Sequence, residues 1–196
     1  PWYRTATWTP WWWPMRYERT FACQEEELLM RIPTLMRTAA ITAILLIPSA
    51  AVHATTIADL VSPGFNDTDA TECLQNAINT GDSLIVVRTM SSPWVVRPIM
   101  CTKPDQQIVF DSGVVVIAKE DEFHGTSDDL FAIKWQGNNV TLTGYGATLR
   151  MRKQDYQDST RYTLSEHRHA IHVGGNTGFL IQGFRIENSG GDGIYL

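Results

Sequence analysis

Two stretches of the chain, QGNNVTLTGY at residues 136–145 and GGNTGFLIQGF at residues 174–184, repeat one pattern with one residue inserted in the second copy. A further repeat follows, because AIHV at 170–173 returns as GIYL at 193–196, 23 residues later. Strand-length units that recur in this way are typical of a solenoid, in which each turn buries its apolar face by stacking on the next.

Short apolar runs rich in β-forming residues occupy most of the chain after residue 83. They lie at 84–87, 94–96, 108–110, 114–117, 130–133, 140–142, 170–173, 179–181, 184–186 and 193–196. Glycine, asparagine, aspartate and serine separate most of them, which predicts strands joined by turns. No helical stretch of crossover length intervenes, so a β–α–β sheet is disfavoured. A β-sandwich also has many short strands, but it gives no reason for the repeat. We therefore expect an all-β parallel β-helix.

One short helix is predicted ahead of these strands. Asp69, with Glu72 three residues later, marks its start, and Gly81 marks its end. The apolar residues that share one helical face are Ala70, Cys73, Leu74, Ala77 and Ile78. We expect this face to cover another part of the structure.

The N-terminal part of the chain differs from the rest. Residues 30–54 have the features of a secretory signal peptide. Arg31 and Arg37 precede an apolar run at 39–47, and the uncharged, fairly small Val52 and Ala54 stand at the −3 and −1 positions of a cleavage site. We therefore expect residues 1–29 to be upstream translated sequence, and the mature chain at 55–196 to be secreted or periplasmic. The apolar run is shorter than the ~20 residues of a membrane span, so no span is expected after signal removal.

The charge of the chain bears on its binding partners, and its cysteine content bears on whether it can form a disulfide. The chain has 16 basic and 21 acidic residues, so it lacks the net positive charge that is typical of proteins that bind nucleic acid or an anionic membrane surface. The mature chain keeps two cysteines, Cys73 and Cys101. Export permits a disulfide between them, and two free buried thiols are the alternative.

The segment TDATECLQNAIN at 68–79 resembles the helix that opens right-handed parallel β-helix proteins of the pectate-lyase superfamily, and NSGGDGIYL at 188–196 is similar to a turn and strand of that group. The resemblance covers most of 57–196. It implies an N-terminal segment with a capping helix at 55–82 and coils at 83–196. Members usually have many more coils, and solenoids need terminal caps. We therefore expect the sequence to be truncated at its C-terminus.

The densest polar stretch, at 150–168, predicts a long loop inserted into the solenoid. Loops on a rigid scaffold are a common place for binding residues. Basic groups there could hold uronate carboxylates and aromatic rings could stack on sugars. The substrate-binding candidates are Arg150, Arg152, Lys153, Tyr156, Arg168 and His169. The alternative is a solvated loop whose charges pair with each other.

Two reactions suit the resemblance. β-Elimination from an acidic polysaccharide needs a base and a cation, often Ca²⁺, but the acidic runs at 120–122 and 128–129 lack calcium-loop spacing and favour solvated turns. Arg150, Arg152 or Lys153 would be the base. Glycoside hydrolysis needs two opposed carboxyl groups. The catalytic candidates for the two reactions together are Arg152, Lys153, Glu166 and Asp192. Ca²⁺ is expected only for a lyase.

Two other patterns have simpler interpretations. Asp192 lies among glycines, where an aspartate more often accepts backbone hydrogen bonds in a tight turn than acts in catalysis. His167, His169 and His172 have loosely metal-like spacing, but no fourth ligand joins them, so no metal site is predicted.

We therefore expect an exported protein that processes an acidic polysaccharide, as a lyase or a hydrolase. A non-catalytic glycan-binding or cell-surface solenoid is the alternative from another class. A third alternative is that the fragment has no activity alone.

Overall fold

The computed structural model describes residues 54–196, so the predicted upstream segment at 1–29 and nearly all of the predicted signal peptide lie outside the described residues. One α-helix, α1 (Thr71–Asn79), and thirteen short strands make up this part of the chain. The strands are β1 (Thr55–Ile57), β2 (Leu84–Val87), β3 (Trp94–Val96), β4 (Ile99–Cys101), β5 (Gln107–Phe110), β6 (Val115–Ala118), β7 (Phe131–Lys134), β8 (Thr141–Thr143), β9 (Thr148–Arg150), β10 (Ile171–Gly174), β11 (Leu180–Gln182), β12 (Arg185–Glu187) and β13 (Ile194–Tyr195). Single 3₁₀ turns lie at Ala58–Leu60 and Asp155–Gln157.

The strands form three sheets in which every pair is parallel. Sheet A has the order β1-β2-β5-β8-β11, sheet B the order β3-β6-β9-β12 and sheet C the order β4-β7-β10-β13. From β2 onward, each coil therefore contributes one strand to A, then B, then C, and the next coil repeats the sequence. This is the stacking of a parallel β-solenoid, so the all-β class and the parallel arrangement are confirmed.

The pairing register explains the sequence repeats. Thr141 pairs with Leu180, which places the run at 140–142 beneath its copy. Ile171 pairs with Ile194, which accounts for the 23-residue repeat. Equivalent residues of successive coils therefore lie on top of one another, and their side chains point to the same face of the sheet.

Alternate residues of the strands fill a continuous apolar interior. Ile108, Leu142 and Leu149 are fully buried, and the Phe110 ring packs edge-on against the ring of Phe131, with their centroids 5.7 Å apart. Truncation of such a residue to alanine costs about 2–5 kcal/mol. The stability of each coil therefore depends on its neighbours in the stack.

Helix α1 lies against the first coil, and the apolar face predicted from its sequence is confirmed. All five residues of that face, Ala70, Cys73, Leu74, Ala77 and Ile78, are buried. Cys73 and Cys101 are both buried free thiols, so the structure has the second of the two alternatives for this pair. Burial raises the pKa of Cys73 to about 11 and that of Cys101 to about 12, which suppresses the reactive thiolate.

The helix region also pairs the open strand edges of the first coil. The Gln75 side chain donates from Nε2 to the Met100 carbonyl (2.9 Å) and accepts at Oε1 from the Met100 amide (2.8 Å) on the edge of sheet C. On the edge of sheet B, the Ala70 amide donates to the Val95 carbonyl (2.7 Å). Strand β1 covers β2 in sheet A. Sheets B and C are therefore protected at this end from pairing with another chain, and β1 is the edge strand of sheet A.

In the second, third and fourth coils, two of the three corners have the same backbone conformation. A residue with positive φ stands two positions before strands of sheet A and of sheet B. These residues are Asp105, Asn139 and Gly178 before β5, β8 and β11, and Gly113, Gly146 and Gly183 before β6, β9 and β12. Aspartate, asparagine and glycine are the residues that tolerate this left-handed conformation. The turn residues of the sequence repeat thus mark the corners of the solenoid.

The third corner, between sheets B and C, varies most in length. We call it the B–C corner. It consists of residues 97–98 in the first coil, 119–130 in the second, 151–170 in the third and 188–193 in the fourth. The long polar stretch of the sequence falls here, at the same corner as the other insertions, so the inserted segments lie side by side.

Candidate functional site

The three longer segments of the B–C corner are joined by hydrogen bonds. The Asp121 amide donates to the Tyr162 hydroxyl (3.0 Å), which links 119–130 to 151–170. The Lys153 amide donates to the Asn188 carbonyl (3.0 Å), and the Gly191 amide donates to the carbonyl at the other end of the long segment, on Arg168 (2.8 Å). The segment 188–193 therefore contacts both ends of 151–170.

At the first end of 151–170, three of the predicted binding residues line one open depression of about 330 Å³. Arg150, Arg152 and Lys153 contribute to it together with Asp155 and Asn188. We call this depression the basic groove. Its volume is at the lower end of the range for small-ligand sites.

The two arginines of the basic groove are held in place by acidic partners. Arg150 donates from Nε to Glu187 (2.7 Å), and Arg152 lies 3.2 Å from Asp155 and donates from Nε to the Ala118 carbonyl (2.9 Å). Lys153 is exposed and forms no ion pair within residues 54–196. A guanidinium has five N–H donors, so each arginine keeps donors beyond those used here.

Two other predicted binding residues are buried rather than presented to solvent. Arg168 is 0% exposed, and it donates to the carbonyls of Phe123 (2.8 Å) and Thr163 (2.7 Å). Tyr156 is 5% exposed, and its ring lies 5.2 Å from the Arg168 guanidinium. Both therefore hold the segments 119–130 and 151–170 together, and the structure corrects the expectation that they face a ligand. Charge and aromaticity in the sequence do not reveal such burial.

At the other end of 151–170 lies a second polar cluster, centred on a buried carboxylate. The Asp129 side chain is 0% exposed. It accepts from His172 Nδ1 (2.8 Å), from Lys134 Nζ (3.2 Å) and from the His169 amide (3.2 Å). Three donors satisfy a charge that would otherwise be costly to bury. The parallel stack brings these residues together, since Lys134 lies on β7 and His172 on the adjacent β10.

The carboxylate fixes the tautomer of His172. An ionised carboxylate only accepts hydrogen bonds, so Nδ1 must be the protonated nitrogen and Nε2 of the neutral ring carries the lone pair. His172 alternates with the buried Ile171 and Val173 on β10, so its side chain lies on the outer face of sheet C. Its side chain is 20% exposed, and Nε2 lies 3.4 Å from the position that a Cβ on Gly174 would occupy.

His169 has a different role from that of an exposed binding residue. It is 2% exposed, and its Nδ1 accepts from the Asp192 amide (2.9 Å). Its ring stacks on Tyr195, with centroids 4.6 Å apart and planes 12° apart. Burial lowers the pKa of His169, which favours the neutral ring that this hydrogen bond requires. His169 therefore fastens the fourth coil to the third.

The two carboxyl candidates are exposed residues of this corner. Asp192 takes part in the turn through its backbone, because its carbonyl accepts from the Ser189 hydroxyl (2.6 Å) while its amide bonds to His169. Glu166 is also exposed, and its carbonyl lies against Gly191, where no side chain would fit. The structure thus explains the glycine at 191 by close backbone approach.

The carboxylates at 120–122 do not fit a calcium site. Each has a cationic neighbour: Asp121 lies 3.3 Å and Glu120 3.6 Å from Arg161, and Glu122 lies 3.4 Å from Lys119. Within residues 54–196, no three His, Cys, Asp or Glu side chains converge where they could share a metal ion. Calcium prefers six to eight oxygen ligands, so these paired carboxylates offer no ready coordination shell.

Comparison with known proteins adds no family to this geometry. No protein-family model, curated protein or solved structure matches the chain significantly. In the part of the chain that the structure describes, no helix is long and apolar enough to cross a membrane. The function must therefore be argued from the basic groove and the Asp129 cluster themselves.

Proposed function

We propose that the chain is part of an exported, right-handed parallel β-helix protein of the pectate-lyase superfamily type that acts on an acidic polysaccharide. The three parallel sheets and the helix across the first coil support the fold assignment. The observation that carries the functional part is the alignment of Arg150, Arg152 and Lys153 along the basic groove.

An acidic glycan suits the donors of the basic groove. Uronate carboxylates accept paired N–H bonds from a guanidinium, and a lysine adds a mobile point charge. Glu187 and Asp155 hold the two arginine heads in fixed positions, so little side-chain entropy is lost on binding. A neutral glycan would leave Lys153, which forms no ion pair within residues 54–196, without a charged partner, and this favours the acidic class.

A non-catalytic glycan-binding solenoid is the second candidate. It is favoured by one feature of the basic groove: both arginines already have acidic partners, and an arginine stays protonated in proteins, so neither is suited to take a proton. On this alternative the groove retains the polymer and no bond is broken.

The test is to incubate the full chain with polygalacturonate and with alginate, each with and without Ca²⁺. Ultraviolet absorbance of an unsaturated uronate indicates a lyase, new reducing ends without it indicate a hydrolase, and retention without turnover indicates a binder. We expect retention of at least one of the two polymers in affinity electrophoresis.

A matched pair of variants locates the binding surface. Lys153→Ala should weaken retention several-fold, while Lys103→Ala, which removes the same charge from an exposed residue before sheet A, should leave it unchanged. Equal loss in both variants would indicate attraction by overall charge. Absence of retention of either polymer by the unmodified chain would overturn the proposal.

A further inference from the structure

The Asp129 cluster has a feature that retention of a polymer does not require. A buried carboxylate holds one nitrogen of His172 and leaves the other nitrogen, Nε2, with its lone pair on the outer face of sheet C. No hydrogen bond occupies Nε2 within the described residues. A histidine oriented by a carboxylate in this way is the usual arrangement of a general base.

The surroundings of His172, whose side chain is 20% exposed, suit a sugar. Gly174 follows two residues later on the same face, and the absence of a side chain there keeps the space beside Nε2 open. The Tyr195 ring, 42% exposed, lies edge-on to His172 with centroids 5.1 Å apart. It offers a flat apolar surface for a pyranose. Lys134 adds a cation that is partly exposed at 20%.

The basic groove and this cluster belong to one corner of the solenoid. They lie at opposite ends of the segment 151–170, and 188–193 bonds to both ends through Asn188 and Asp192. A ligand that contacts both the groove and the cluster would have to be a polymer of several sugar units. The sequence predicted binding at both ends but assigned the base to the groove.

We propose that His172, oriented by Asp129, is the general base of a β-elimination on the polymer that the basic groove holds. This inference rests on the proposed function and narrows it to a lyase. Nε2 removes the proton from C5, the carbon that bears the uronate carboxyl group. The C–H electron pair becomes the C4–C5 double bond, and the bond from C4 to the glycosidic oxygen breaks. The leaving oxygen takes a proton from water, and His172 returns its proton to solvent.

Lys134 contributes charge rather than proton transfer. Its Nζ is hydrogen-bonded to Asp129 Oδ2 (3.2 Å), so it stays on the same side of the cluster as His172. A positive charge there stabilises the negative charge that develops on the uronate carboxyl group as the C5 proton leaves. Asp129 is a positioning residue, since its oxygens are all directed at protein donors.

The test compares His172→Gln with His167→Gln in the full chain. His167 is exposed and, within residues 54–196, forms no hydrogen bond or ion pair with Asp129, so its variant is the matched control. We expect His172→Gln to lower the rate of unsaturated product formation by ~10²–10⁴-fold, the usual contribution of a general base, with polymer retention unchanged.

A second variant guards against misfolding. Asp129→Asn keeps the size of the side chain, but an amide no longer requires Nδ1 of His172 to be the protonated nitrogen. The variant should therefore form product more slowly and retain the polymer as before. Circular dichroism checks that it is folded. Loss of less than tenfold in His172→Gln, or equal loss in His167→Gln, would overturn the inference. If the unmodified chain retains the polymer but forms no unsaturated product, the inference about His172 is wrong and the non-catalytic binder remains. If it retains neither polymer, both the inference and the proposed function are wrong.

Discussion

The corners of this solenoid differ in what controls them. At the corners before sheets A and B, a residue with positive φ stands two positions before the strand in successive coils, as at Asn139 and Gly146. At the B–C corner the connection ranges from residues 97–98 to residues 151–170. The B–C corner also has residues with positive φ, Asp121 and Asn188, but they stand at no common position. The first two corners therefore repeat one backbone conformation, while the third varies in length and is held by contacts between its segments.

This difference explains where the polar chemistry lies. In the second to fourth coils the corners before sheets A and B repeat one short turn, which leaves little room for inserted residues. The B–C corner accepts insertions because its segments hold one another through buried groups such as Arg168 and Tyr156. Both the basic groove and the Asp129 cluster lie at this corner, as expected for binding loops on a rigid scaffold.

The largest effect is predicted for the side chain that holds the B–C corner together. Arg168→Ala removes the fully buried guanidinium from the carbonyls of Phe123 and Thr163, each of which then loses a hydrogen bond, and we expect a loss of about 3 kcal/mol in the free energy of unfolding. Urea denaturation measures it. Arg161→Ala is the control at the same corner, because that side chain is exposed and its ion pairs are solvated.

A loss below 1 kcal/mol in Arg168→Ala would contradict this account of the corner. It would mean that the segments 119–130 and 151–170 are held by other contacts. Limited proteolysis gives a second readout, since the variant should be cleaved within 151–170 before the strands are.

The next largest effect is predicted for glycine-to-alanine substitutions that compare a corner before sheet B with the B–C corner. Gly113 has a φ of 87° before β6, and a Cβ there meets only Thr89 at 3.7 Å, so Gly113→Ala introduces backbone strain without a clash. We expect a cost of about 1–2 kcal/mol. At the B–C corner, Gly193 has no positive φ and a Cβ would meet Ile186 at 3.6 Å.

Gly193→Ala should therefore be neutral or stabilise the fold by up to about 1 kcal/mol, because alanine lowers the conformational entropy of the unfolded chain. Thermal unfolding of the two variants side by side measures the difference. Equal destabilisation by both substitutions would show that the B–C corner is as constrained in its backbone as the others.

The smallest predicted effect is a pH dependence at the junction of the third and fourth coils. Burial lowers the pKa of His169, so the unfolded chain binds a proton first as the pH falls. Between the unfolded pKa, about 6.5, and the lower folded pKa, this group should reduce the free energy of unfolding as the pH falls, with no further change below. His169→Gln should lack this component, and His167→Gln should keep it. Identical pH profiles of the unmodified chain and His169→Gln would contradict it.

Much of the fold can be predicted from the sequence because the turn residues and apolar runs recur together. The repeat at 136–145 and 174–184 fixes the pairing of β8 with β11, and the helix face is read from its spacing. Strands β1, β4 and β9 were not predicted. Their residues, such as TLR at 148–150, are short and partly polar, and only pairing with neighbouring coils makes them strands.

The candidate site is harder to predict from the sequence, because some of its residues are distant in sequence and meet only in the folded stack. Arg150, Arg152 and Lys153 could be predicted together because they are close in sequence. Asp129 and His172 meet only because the insertion at 151–170 leaves β10 stacked on β7. The length of an insertion in a solenoid does not reveal which residues lie side by side across it. Aligning His172 with Ala132 one coil earlier would have placed it on the outer face.

We propose that the B–C corner is the glycan-binding face of the solenoid. The decisive measurement is backbone amide hydrogen exchange with and without a saturating oligosaccharide of the polymer that the chain retains, polygalacturonate or alginate. We expect increased protection within 151–170 and 188–193, and none at 102–106 or 111–114, which precede sheets A and B. Protection centred on those two corners, or unchanged exchange throughout residues 54–196, would contradict it.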